Sequence, residues 1–206
     1  LAKAFIERLR YGSDPQLPKT LIIADDTDEL YMGAYKGDWH LQIENELFLY
    51  ELRLLAPQAD VQIVTHITPA LLDTYPDIID ISTHKSAQVS SWLLQRMATH
   101  KIMIFDPLST SNGGALSSHF AVLGKSPEVN GNVQLANGTG VLFVRDDVNE
   151  ASPCTSCQVK LAAYLPSANQ DHVTVPLVIT NGNDVWVNSY TSNEQVLKPA
   201  FEAFYN

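Results

Sequence analysis

The stretch Lys19-Thr20-Leu21-Ile22-Ile23-Ala24-Asp25-Asp26 decides the fold of this chain. Its apolar run is uninterrupted and ends in acidic residues, which is typical of a parallel strand buried on both faces. Three further runs of this kind predict the second, third and fourth strands. They span residues 60–65, residues 77–83 and Lys101–Phe105.

Helical patterns separate these four strands. Apolar residues recur at helical spacing over residues 41–55 and 86–100, and Thr68 before Pro69 predicts the N-cap and first turn of a short helix. The sequence Ser111-Asn112-Gly113-Gly114 is expected to open another helix that runs to about Leu123. Such alternation with right-handed crossovers gives a parallel sheet covered on both faces. We therefore predict a doubly wound, flavodoxin-like α/β fold.

The C-terminal part of the chain follows a different pattern. Residues 141–144 and 160–165 are predicted strands, and residues 175–190 predict two strands around the turn Asn181-Gly182-Asn183. Asn193 is the expected N-cap of a final helix. An antiparallel hairpin would thus complete a mainly parallel, three-layer α/β/α sheet, and we expect one domain over all 206 residues. The apolar residues of the first hairpin strand are expected to share one face: Val175, Leu177 and Ile179.

The charge balance restricts the partners of the chain. Its 13 Lys and Arg against 23 Asp and Glu give a formal net charge of −10, which repels the phosphates of nucleic acids. No apolar run approaches the roughly 18 residues that cross a bilayer, so direct membrane insertion is not expected. The chain begins with Leu1 rather than Met, and we expect it to be a fragment of a longer chain. Its low Lys content and its many Ser, Thr, Asn and Gln residues favour an extracytoplasmic location, periplasmic or secreted, and leave a cytoplasmic one open.

The acidic sequence Asp25-Asp26-Thr27-Asp28-Glu29 follows the first strand. Ligands of doubly wound sheets bind outside the carboxyl ends of their strands. Clustered carboxylates repel one another unless a cation or hydrogen-bond donors compensate, and Mg²⁺ and Ca²⁺ take oxygen ligands. Two interpretations stay open: a metal site formed by Asp25, Asp26 and Asp28, or a solvated acidic loop.

Aromatic residues populate the loop that follows. Tyr35 and Trp39 lie there in the sequence, in a position that suits sugar stacking or protein contact, and the alternative is that they fold back on the core. The candidate binding residues for a small polar ligand, a glycan or a protein are Asp25, Asp26, Tyr35 and Trp39.

His84 follows the third strand, and Ser109 lies in the sequence Asp106-Pro107-Leu108-Ser109 after the fourth. In this layout the chain resembles the caspase-like cysteine peptidases, which place a His-Gly and the nucleophilic Cys at these two strand ends. Lys85 replaces the glycine, and Ser109 stands about where the cysteine would be. A hydroxyl is a poor nucleophile unless a base activates it. The resemblance therefore implies a degenerate relative, with His84 and Ser109 as candidate catalytic residues.

A second resemblance covers more of the chain. Leu71-Leu72-Asp73-Thr74-Tyr75-Pro76-Asp77, Gly113-Gly114 and the C-terminal hairpin with its helix resemble class I glutamine-amidotransferase-like domains. The amidotransferase nucleophile elbow, Gly-x-Cys-x-Gly, does not occur in this sequence. The resemblance implies a flavodoxin-like domain that lacks the catalytic set and occurs in glycan-processing or cell-surface proteins.

Cys154 and Cys157 form a single CxxC sequence between Ser- and Pro-containing segments. A zinc site would need two more ligands, so a local disulfide, free thiols, or a redox or metal role stay open. The function predicted from the sequence is noncatalytic binding of a ligand or partner within a larger extracytoplasmic, glycan-related protein. The alternative is a hydrolase that uses His84 and Ser109. No cofactor is predicted apart from the Mg²⁺ or Ca²⁺ considered above.

Overall fold

A computed structural model describes residues 20–25, 49, 52, 54–56, 59–82, 85–105, 116–123, 131–136, 141–144, 150–165, 173–189 and 193–206. Within these residues the strands are β1 (Thr20–Ala24), β2 (Asp60–Ile63), β3 (Asp77–Asp80), β4 (Lys101–Phe105), β5 (Ala121–Leu123), β6 (Gly131–Leu135), β7 (Val141–Val144), β8 (Ala151–Pro153), β9 (Gln158–Leu165), β10 (Val173–Asn181) and β11 (Asp184–Val187). The helices are α1 (Pro69–Leu72), α2 (Ala87–Arg96) and α3 (Glu194–Tyr205). Short 3-10 turns span Val64–His66 and Ser117–His119.

Each of these three helices begins after a residue whose side chain accepts a backbone N–H of the first turn. Thr68 accepts from Leu71 at the start of α1, as the Thr-Pro sequence predicts. Ser86 does the same for α2, and Asn193 for α3. These caps satisfy donors that have no partner inside a helix, and so they fix where each helix begins.

The described strands form a mixed sheet in the order β2-β1-β3-β4-β11-β10-β9-β6-β7, and β5 pairs separately with β8. The first five strands in this order are parallel, and the remaining ladders of the sheet are antiparallel. The predicted α/β fold with a C-terminal antiparallel hairpin is confirmed, and the described sheet is mixed, with four parallel and four antiparallel ladders. β1 lies between β2 and β3, as its uninterrupted apolar sequence predicts.

Both faces of the sheet are covered. Alternate residues of β1 belong to different core clusters: Leu21 and Ile23 share one with residues of α1 and α2, and Ile22 shares the other with Leu52 and residues of α3. The inward residues of α3 are buried, as its helical spacing predicts: Val196, Leu197, Phe201 and Phe204. Among the described residues, no helix is both long and apolar enough to cross a membrane.

The helix expected to run to about Leu123 is wrong over its described part. After Leu116 the chain makes a 3-10 turn, and Ala121–Leu123 is strand β5. Val122 pairs with Ser152 of β8, so a backbone partner distant in sequence decides the conformation of this segment. The residues before Leu116 in the predicted helix lie outside the described ones.

The hairpin of β10 and β11 lies inside the sheet. β11 is parallel to β4 along one edge and antiparallel to β10 along the other. All four of its residues are also buried, so both of its faces are covered. The expectation that Val175, Leu177 and Ile179 share a face is wrong for Ile179. Val175 and Leu177 join the cluster with α3, but Ile179 joins the cluster with α1 and α2. Register shifts on either side of Val178 break the alternation of the strand.

Gly182 allows the tight turn between β10 and β11. It adopts a φ of +60°, and a Cβ added there would meet nothing within 4 Å. We expect Gly182→Ala to lower the free energy of unfolding by about 1–2 kcal/mol, because the left-handed conformation strains a residue with a Cβ. Gly182→Asn should cost less, since Asn tolerates this region. Urea unfolding of both variants measures the difference, and equal losses would contradict a purely backbone effect.

Candidate functional site

Along the strand order β2-β1-β3-β4-β11, β2 lies on one side of β1, and the later strands β3, β4 and β11 lie on the other, so the order changes direction at β1. Such a switch point opens a crevice at the carboxyl ends of β1 and β3. Asp25 follows β1 directly and is half-buried. At the end of β3 lie Asp80, Ser82 and Lys85. Asp25 therefore lies near a second polar cluster, formed by Asp80, Ser82 and Lys85, that was not predicted from the sequence.

Asp80 is completely buried, and hydrogen bonds from the next turn hold its carboxylate. The backbone N–H and the hydroxyl of Ser82 donate to Oδ1 over 3.0 and 2.6 Å. Lys85 Nζ lies 3.3 Å from Oδ2 and also donates to the carbonyl oxygen of Ser82. The side chains of both residues are buried. The described residues that follow β3 thus contain a buried Asp–Lys pair.

The groups around Asp80 shift its pKa in opposite directions. Burial raises the pKa of Asp80, while Lys85 and the hydrogen bonds of Ser82 lower it, and the negative charge of Asp25 raises it again. Asp25 is therefore close enough to Asp80 for the two carboxylates to repel each other. The half-buried carboxylate of Asp25 thus lies beside the buried Asp80–Lys85 pair at this edge of the sheet.

The structure describes one of the predicted site residues at this edge. Asp25 lies at the carboxyl end of a central strand, where it was expected. The other predicted catalytic, binding and metal-ligating residues lie outside the described residues: Asp26, Asp28, Tyr35, Trp39, His84 and Ser109. The described residues contain no group of three or more His, Cys, Asp or Glu side chains that could hold a metal ion. A sequence signal for the missed cluster exists: Asp80 interrupts the apolar strand Ile78-Ile79-Asp80-Ile81.

A second buried acid lies at the opposite edge of the sheet, where the parallel strands begin. Asp184 Oδ1 accepts the backbone N–H of Ile102 over 3.0 Å, and Oδ2 lies 3.1 Å from His119 Nε2. Asn181 donates to the carbonyl oxygen of His119 over 2.8 Å. Burial raises the pKa of Asp184 to about 7, although the bond from Ile102 lowers it in part, and burial lowers the pKa of His119. Both shifts favour an uncharged pair that shares one proton.

Cys154 and Cys157 form a disulfide next to this pair, which confirms the local disulfide among the alternatives. The backbone N–H of Cys154 donates to the carbonyl oxygen of Phe120, and Cys157 Sγ lies 3.0 Å from the same oxygen. Inside the disulfide turn, the hydroxyl of Ser156 donates to Asn181 Oδ1 over 3.2 Å. The disulfide turn is therefore attached to the hairpin turn and to the residues beside His119.

The buried ion pair predicts a large loss on removal of its cation. Lys85→Met would leave the carboxylate of Asp80 buried without a positive partner, and we expect the free energy of unfolding to fall by about 3–5 kcal/mol. The double variant Asp80→Asn/Lys85→Met should recover much of this loss. Urea unfolding measures both, with Lys198→Met, at an exposed position of α3, as the control. A Lys85→Met variant as stable as the control would contradict the structural role of the pair.

Asp184 predicts a pH-dependent stability. Its pKa is about 7 in the folded chain against 3.8 for an ordinary Asp, so the folded state binds a proton that the unfolded state has released. The stability that this proton contributes is complete below about pH 4 and is lost as the pH rises to about 7. In Asp184→Asn the group no longer titrates. The stability of wild type minus that of the variant should therefore fall by a few kcal/mol across this window. A difference that stays constant in urea unfolding at several pH values would contradict the shift.

Comparison with known proteins identifies a fold and no family. No protein-family model matches the chain, and no curated protein matches it. A similar solved structure is the exo-β-1,4-mannosidase Op5Man5 from Opitutaceae bacterium strain TAV5, with a TM-score of 0.57 and 12% sequence identity. The match covers 99% of this chain and 37% of the mannosidase chain. At this identity the similarity shows the fold alone, and the chain spans little more than a third of the length of that enzyme.

Proposed function

We propose that this chain is a noncatalytic, flavodoxin-like binding domain of a larger extracytoplasmic protein that acts in glycan processing. The observation that carries the proposal is the match of nearly the whole chain to a part of a longer exo-β-1,4-mannosidase. This match supports the proposal that the chain is one α/β domain within a longer carbohydrate-active protein. The order of the parallel strands also supports the flavodoxin-like assignment, because numbering them along the chain gives 2-1-3-4-5.

The state of the cysteines supports a noncatalytic role. The chain has two cysteines, and both belong to the disulfide. Neither is therefore a thiolate that could act as the nucleophile of an amidotransferase or of a caspase-like peptidase. This agrees with our proposal that the chain is an amidotransferase-like domain without the catalytic set.

The position of the disulfide supports an extracytoplasmic location. Cys154 and Cys157 lie in a turn whose middle residues, Thr155 and Ser156, are exposed to solvent. Accessible disulfides persist mainly in oxidising compartments, such as the periplasm or the outside of the cell.

The switch point is the proposed ligand site. Asp25 contributes a half-buried carboxylate there, and the buried Asp80–Lys85 pair fixes the neighbouring strand end. Hydroxyl groups of a sugar donate readily to such a carboxylate. We propose Asp26, Tyr35 and Trp39 as further binding residues, and Mg²⁺ or Ca²⁺ as a cation held by Asp25, Asp26 and Asp28.

A glycan array followed by calorimetry tests this function. We expect the wild type to bind a neutral glycan or a divalent cation, and Asp25→Asn to weaken that binding about tenfold or more, because a charged acceptor is lost. The matched control is Asp73→Asn. Asp73 is an exposed carboxylate that pairs with Arg96 near the start of β3, at the opposite edge of the sheet.

Two outcomes would contradict the proposal. Binding that is the same in wild type and Asp25→Asn would remove the switch point as the ligand site. Hydrolysis of a glycoside, ester or peptide that is lost in His84→Ala would show a hydrolase and overturn the noncatalytic role.

A further inference from the structure

A groove of about 600 Å³ lies at the edge of the sheet opposite the switch point. The start of β9, the end of β10 and the C-terminal half of α3 form its walls. Gln158 pairs with Thr180 across the two strands, and Pro199 and Glu202 line the groove from the helix. Its volume lies within the range of small-molecule sites.

A β-bulge lies at Lys160, beside this groove. Val159 pairs with Ile179 and Leu161 with Val178, so Lys160 is an extra residue on β9 without a counterpart on β10. The bulge allows Leu161 to join the core cluster beneath α3 while Lys160 also lines the groove on that side. Regular alternation would place these neighbours on opposite faces of the sheet. Bulges commonly redirect a side chain in this way next to functional sites.

The groove is polar and balanced in charge. Ser156, Gln158 and Thr180 contribute hydroxyl and amide groups. Lys160 Nζ donates one of its three hydrogens to Gln158 Oε1 over 2.8 Å, and Glu202 supplies the opposite charge across the groove. Lys198, the neighbouring cation on α3, lies 4.0 Å from the Glu202 carboxylate. Paired donors and acceptors over an apolar Pro199 surface suit a ligand with many hydroxyl groups better than an anion.

The walls of the groove are held in place. Ser156 lies between the two bonded cysteines, and its hydroxyl donates to Asn181. Asn181 in turn donates to the carbonyl oxygen of His119, whose ring contacts the buried Asp184. A site whose walls are already ordered loses less conformational entropy when it binds.

We propose that this groove is a binding site for a small neutral saccharide, separate from the switch point. The proposal goes beyond the function proposed above, because it concerns other residues at the other edge of the sheet. It requires the hydrogen bonds of Lys160 and Glu202 and does not require Asp25.

Amide chemical shifts measured by NMR with mannobiose and cellobiose test the proposal on the intact chain. We expect saturable shifts in residues 156–160, 180–182 and 199–206. Lys160→Met and Glu202→Gln should each raise the dissociation constant about tenfold or more, because each removes a charged hydrogen-bonding group. Glu194→Gln, a matched change at the other end of α3, should leave it unchanged. Thermal unfolding confirms that each variant is folded.

The location of the shifts separates this inference from the function proposed above. Shifts confined to the groove and lost in Lys160→Met support the groove site, whether or not Asp25→Asn has any effect. Shifts confined to residues 21–25 and 80–86, or the absence of saturable shifts with either disaccharide, overturn it. A hexose phosphate that binds the groove more tightly than the neutral sugars also overturns it, because the ligand would then be an anion.

Discussion

The structure depends on the pairing of β11 between β4 and β10. This strand of four residues is parallel to one neighbour and antiparallel to the other, and so it joins the doubly wound part of the sheet to the antiparallel part. Val185 and Val187 pack under α3, whereas Trp186 packs on the other face with Phe120. Without β11, the backbone N–H and C=O groups of β4 on this edge would lack hydrogen-bond partners. β10 would also lose the strand that joins it to the parallel part of the sheet. The same strand begins with Asp184, so its register also places the buried acid beside His119.

The direction of β11 explains why the two polar regions lie at opposite edges of the sheet. Its carboxyl end points the same way as those of β1 and β3, where Asp25 and Asp80 lie. The chain then returns along α3, which brings the C-terminal half of this helix to the amino ends of the parallel strands. There Lys101 of β4 donates to the carbonyl oxygen of Phe204. The groove between α3 and β9 is therefore a consequence of the same topology that forms the switch point.

The sequence predicted those parts of the fold that local patterns determine. The four N-terminal strands, the caps at Thr68 and Asn193, and the turn at Gly182 follow from apolar runs, capping side chains and glycine. The segment at Ala121–Leu123 could not be predicted in this way, because its strand conformation comes from a partner at Ala151–Pro153. Ile179 also faces the side of the sheet opposite to the one predicted. The β-bulge that causes this depends on how β9 and β10 pair, and the sequence of β10 alone does not indicate it.

The candidate site was predicted in part for the same reason. Asp25 could be predicted because it directly follows the apolar run of β1, and this pattern is visible in the local sequence. Asp80, Lys85, His119 and Asp184 were not selected, because their importance comes from burial and from partners distant in sequence. His119 and Asp184 are 65 residues apart, yet their side chains lie within hydrogen-bond distance. An acidic residue inside an apolar strand, as at Asp80, is the one sequence feature that indicated a buried charge.

The two buried acids are accommodated by different means, and the difference separates the chemistry of the two edges. Asp80 is matched by the cation of Lys85, so that edge contains fixed charges, and the nearby Asp25 makes it acidic. Asp184 lies beside the ring of His119, and burial disfavours a charge on either group: it raises the pKa of Asp184 to about 7 and lowers the pKa of His119. The two proposed sites therefore differ in charge: the carboxylate of Asp25 lies at the first, and Lys160 and Glu202 of opposite charge line the second.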